Sequence, residues 1–97
     1  MYKEKYPHDD LENLTEEIVY QQIHHLLESD ASIELTEVSL QDVAAIALNN
    51  LKPLYATSFL DKINPRDEFK KEIASVTEEA AKQVKAAVDR VMEQPHD

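Results

Sequence analysis

Residues 65–94 read PRDEFKKEIASVTEEAAKQVKAAVDRVMEQ. No glycine interrupts the stretch, and its one proline stands at the start, where a helix tolerates it. Asn64-Pro65 reads as an N-cap followed by proline at the first helical position. Asp67 and Glu68 then fall in the first turn, where the helix dipole favours negative charge. The apolar positions Phe69, Ile73, Val76, Ala80, Val84, Ala87 and Val91 recur in steps of four, three, four, four, three and four. That is close to a heptad seam, with Gln83 weakening the register midway. The pattern predicts one helix from residue 65 to about residue 94. At 1.5 Å per residue it is ~45 Å long, against a radius of gyration near ~13 Å for a compact chain of about 100 residues. One end must therefore project or pack on another subunit. Phe69, Ile73, Val76, Ala80, Val84, Ala87 and Val91 are assigned as a homodimer interface. In the alternative, the helix folds over the upstream helices and its last turns fray.

Upstream, Asn13 is placed as an N-cap with Glu16 as its reciprocal partner. Ile18, Val19, Ile23, Leu26 and Leu27 recur at helical spacing and predict a first helix over residues 14–28. Residues 1–12 are polar and read as a flexible lead-in that turns helical near Leu11; residues 13–97 read as a single domain. Residues 29–38 carry no clear period. Thr36 or Ser39 can cap the next helix, and Ser39 with Asp42 makes a good capping pair. The second helix is expected over residues 40–50. Val43, Ala44, Ile46, Ala47 and Leu48 make it apolar nearly all round, which places it at the centre of the core. Asn50 can take the left-handed turn before Pro53. Leu54 to Phe59 reads as a short extended segment that needs a partner strand, supplied by a symmetry mate or by residues 32–36. The expected fold is therefore mainly α: a small helical domain with one short β segment and a long C-terminal helix, dimeric.

Composition removes several chemistries. The chain has 97 residues and neither glycine nor cysteine. Glycine-rich phosphate loops, disulfides, thiolate metal sites and cysteine nucleophiles are thereby excluded. Ten basic against twenty acidic residues give a net charge of −10, a field that repels nucleic acid and anionic membranes. No direct nucleic-acid binding is expected. The N-terminus lacks the apolar core of a signal peptide. No apolar run approaches the ~20 residues of a bilayer span. A cytoplasmic location is expected.

His24-His25 is the one metal suspect. Adjacent helical residues point about 100° apart, so the reading is no metal site, with one imidazole exposed and one half-buried. Ser29-Asp30, Thr36-Glu37 and Ser39-Asp42 are better read as caps than as parts of a hydrolase, because nothing marks an oriented base or an oxyanion site. No catalytic residue, cofactor or enzymatic activity is expected.

Residues 41–59 read QDVAAIALNNLKPLYATSF: an apolar helix, a proline turn and an extended aromatic segment. Here the sequence resembles the late-competence ComFB family, whose hallmark reads D-V-A-x-x-A-L-N-x-L-x-P-x-Y. Asp42, Val43, Ala44, Ala47, Leu48, Asn49, Leu51, Pro53 and Tyr55 match in place, and an upstream helix like residues 16–27 is typical. The resemblance covers roughly residues 13–60. Many members of that family carry a cysteine cluster before the motif, at least some binding zinc through it; this chain has SDASIELTEVS there, so that site is absent. Several members are implicated as receptors for cyclic di-GMP, and the resemblance implies a non-enzymatic, homodimeric regulatory module with that ligand or a protein partner. The ligand-binding candidates are Asp42, Asn49, Lys52, Tyr55, Lys62 and Arg66. Tyr55 can stack on a purine or fill the core. Arg66, beside the start of the last helix, suits a phosphate or a surface ion pair. The alternative is an adaptor that holds a protein partner without a small ligand.

Overall fold

Asn13 starts the first helix and also anchors the segment that returns to it. The computed structural model describes residues 2–57 and 66–94. Helix α1 spans Leu14–Ser29, and the Asn13 side chain accepts the Thr15 N–H at 3.2 Å. The same oxygen accepts the Leu54 N–H at 2.8 Å. Strand β1, Glu12–Asn13, pairs antiparallel with β2, Tyr55–Ala56, with Glu12 opposite Ala56 and Asn13 opposite Tyr55. The chain therefore stays extended at residue 12 rather than turning helical near Leu11. The partner of the extended segment is Glu12–Asn13, not residues 32–36. Ahead of it, Tyr2–Lys5 forms one 3-10 turn.

Helix α2 spans Glu37–Asn49, three residues earlier than expected at its start. Thr36 is the cap: its hydroxyl accepts the Ser39 N–H at 3.1 Å. Ser39 thus lies inside the first turn, and the Ser39-Asp42 cap does not form. Asn50 ends the helix at φ −108°. The left-handed turn is unnecessary, because the Asn50 side-chain amide donates to the Ile46 carbonyl at 2.9 Å and its backbone N–H to Ala47 at 3.0 Å. Helix α3 spans Asp67–Glu93 with Arg66 at the cap position. It starts two residues later than the Asn64-Pro65 reading requires; those two residues and Phe59 lie outside the described residues. Its 27 residues make a rod of about 40 Å, and the longest extent of the fold is 41 Å.

The stripe on α3 is covered by its own chain. Val84, Ala87, Val88 and Val91 pack with Val19 and Ile23 of α1 and with Val43, Ala44 and Ala47 of α2. Phe69, Val76 and Ala80 pack with Ile18, Leu54 and Ala56, with Ile73 partly buried at the edge. Ala80 is 0 % and Val84 1 % exposed in the single chain. The physical reason for assigning Phe69, Ile73, Val76, Ala80, Val84, Ala87 and Val91 to a dimer interface therefore falls away: α1, α2 and β2 supply the missing surface. Val88, outside the heptad seam, is buried as well, because α3 faces two helices and needs a wider stripe. Helix α2 is one of three walls rather than a buried centre: Val38 is 44 % exposed and Ala45 faces solvent.

Candidate functional site

The turn between α2 and β2 is held from below. Thr15, 1 % exposed, donates its hydroxyl to the Lys52 carbonyl at 2.7 Å, and the Leu14 N–H donates to the Leu54 carbonyl at 2.7 Å. With the Asn13 bond to the Leu54 N–H, three contacts fix residues 52–54 to the start of α1. Leu54 and Ala56 point into the core, at 2 % and 4 % exposed. The strand period of two sends Tyr55, between them, outward, and the residue is 61 % exposed. The expectation that Tyr55 can fill the core is thereby corrected: it is displayed on a rigid base.

Lys52 Nζ lies 3.1 Å from Glu72 Oε1 on α3. Arg66 is exposed at the start of the same helix, and its carbonyl accepts the Lys70 N–H at 2.9 Å. Lys62 lies outside the described residues. Asp42 and Asn49, on one face of α2, line a groove of about 230 Å³ whose other wall is Arg90, Val91 and Gln94. Arg90 is eighteen residues beyond Glu72, about 27 Å along the helix axis. The six candidates therefore divide: Asp42 and Asn49 face the far end of α3, whereas Lys52 faces its first half. Asp42 does not hold the helix start, since Thr36 does, and Asn49 does not cap the helix end, since Asn50 does. Arg90 and Glu72 were missed by sequence reasoning. Arg90 is one of only two arginines in the chain, but a cation in a last helical turn reads first as a dipole partner.

The remaining polar suspects have local structural partners. His24 Nε2 lies 2.6 Å from Glu28 Oε1, and both histidines are exposed, correcting the expected half-buried imidazole. Among the described residues no group of three or more His, Cys, Asp or Glu is placed to hold a metal ion. Ser29 donates to the Leu26 carbonyl at 3.1 Å. Asp30 accepts the Ser32 hydroxyl at 2.6 Å and the Ser32 N–H at 3.0 Å. The hydroxyl first, and then the N–H, hold its carboxyl below the ordinary carboxylate range.

The described residues form a small three-helix domain that displays a polar groove and an aromatic-bearing turn on its surface. The chain belongs to the late competence development protein ComFB family, whose sequence model matches residues 12–95. No curated protein and no solved structure is significantly similar to it. Among the described residues no helix is long and apolar enough to cross a membrane.

Proposed function

We propose that this chain is a cytoplasmic, non-enzymatic regulatory module that acts as a homodimer and binds cyclic di-GMP, or a related cyclic dinucleotide, at the turn that carries Lys52 and Tyr55. Family membership supports a role connected with late competence development. The observation that carries the ligand reading is Tyr55: an aromatic residue 61 % exposed, next to backbone that hydrogen bonds tie to the start of α1. A fixed aromatic face suits a purine, and base stacking contributes about 1–3 kcal/mol per base. Lys52 and Arg66 flank it in sequence as cations for phosphate oxygens. A cyclic dinucleotide with two identical bases has a two-fold axis, which matches an isologous dimer offering Tyr55 twice.

Isothermal titration with cyclic di-GMP tests the reading. Tyr55→Ala is expected to weaken binding roughly 5- to 150-fold, the equivalent of one lost stack. An absence of heat from the unaltered chain at tens of micromolar ligand would remove the nucleotide from the account. A second reading, an adaptor for a regulatory protein, is favoured by Tyr2, Tyr6 and Leu11, which are 80 %, 68 % and 51 % exposed ahead of β1. Partner binding lost on replacing those three side chains by serine supports it.

A further inference from the structure

The groove between the C-terminal half of α1 and the middle of α3 differs in composition from the groove at Asp42 and Arg90. Its volume is about 300 Å³, at the lower end of the ~300–1,000 Å³ range of small-molecule pockets. Leu26, Ala81 and Val84 make the apolar floor, and Gln22, His25, Ser29 and Lys85 make the rim. The chain carries twice as many acidic as basic residues, yet among the described residues no carboxylate lines this groove. Glu28, next to Ser29 in sequence, is engaged by His24 at 2.6 Å. Lys85 makes no ion pair or hydrogen bond among the described residues. An apolar trough with one uncommitted ammonium and the Gln22 amide at its edge matches an amphiphile with an anionic head.

We infer that this groove binds a small carboxylate with an aliphatic tail, the tail on Leu26 and Val84 and the carboxylate at Lys85. The site is separate from the Tyr55 turn and does not depend on the nucleotide reading. Its selectivity is opposite in sign to the whole-chain field set by a net charge of −10.

Amide chemical shifts of the full chain, titrated with sodium octanoate, sodium hexanoate and octylammonium chloride, test the inference. Octanoate is expected to give saturable shifts at Gln22, Leu26 and Ala81. It should bind more tightly than hexanoate, by about fourfold per methylene that finds room on the floor, and more tightly than octylammonium. Lys85→Glu should weaken octanoate roughly fivefold or more and improve octylammonium. Ala81→Leu, at an exposed helical position that tolerates leucine, should obstruct the trough and abolish binding while the circular dichroism spectrum and melting temperature stay unchanged. Octylammonium binding as well as octanoate, shifts centred elsewhere, no saturable shifts at all, or full binding by folded Ala81→Leu would each overturn the inference.

Discussion

The side-chain oxygen of Asn13 accepts the backbone N–H of Leu54 at 2.8 Å, across 41 residues of chain. The same atom caps α1 through Thr15, so one amide group both starts a helix and locates the turn that displays Tyr55. Local and long-range order are coupled at this point.

Asn13→Ala is expected to destabilise the fold by about 2–4 kcal/mol. Loss of an N-cap costs ~1 kcal/mol, and leaving the Leu54 N–H unpaired costs a further ~1–3 kcal/mol. Asn13→Asp keeps an acceptor and should recover most of it. Urea denaturation with unchanged m-value is the measurement. A loss below half a kcal/mol from the alanine variant would show that water replaces the side chain.

Thr15→Val preserves shape and deletes the donor to the Lys52 carbonyl. A stability loss of about 1–2 kcal/mol is expected, with faster amide exchange at Leu54 to Ala56. Unchanged protection there would mean that the strand pairing holds the turn without Thr15.

Ala80 is fully enclosed. Ala80→Leu should overpack the cluster of Ile18, Leu54 and Phe69 and cost roughly 1–3 kcal/mol. Sedimentation should report the same association state for variant and parent. A change of association state at unaltered stability would return the α3 stripe to a subunit interface.

Lys52 and Glu72 are 63 % and 45 % exposed, and a double-mutant cycle should find a coupling of only ~0.2–1 kcal/mol, weakened by salt. Glu72→Gln releases Lys52 from its carboxylate partner and is expected to tighten cyclic di-GMP binding. Weaker binding by that variant would argue that the ion pair orients the turn instead.

The Asp30 carboxyl is held below its ordinary range by Ser32. A carboxylate with a depressed folded-state pKa contributes stability that is present above the unfolded value and lost as pH falls through the folded one. Asp30 should therefore titrate below the ordinary carboxylate range in a carbon-detected NMR titration. Ser32→Ala should move its midpoint up, towards that range. A midpoint in the ordinary range in the parent chain would contradict the short Ser32 contact.

The helices were largely legible because their signals are local. Asn13 and the period from Ile18 to Leu27 place α1 to within one residue at its C-terminal end, and the apolar steps from Phe69 to Val91 locate α3. What failed needed information from elsewhere in the chain. A repeating stripe reads the same whether a sister helix or a second copy covers it, so the burial of Ala80 within one chain was not recoverable from spacing. Glu12 and Asn13 are polar and lack any β-rich pattern, so nothing local announces the partner of Tyr55–Ala56. Thr36 and Ser39 were both eligible caps, and geometry chose the earlier one. Asp42 and Asn49 sit two helical turns apart and so share a face, but Arg90 opposite them comes from tertiary packing alone.

Helix α3 supplies one wall of both apolar clusters, through Phe69, Val76 and Ala80 in one and Val84 to Val91 in the other. On a nascent chain the first cluster cannot close before Ala80 has emerged, nor the second before Val91. Until then α1 and α2 emerge with their apolar faces bare, a state open to chaperones and proteases.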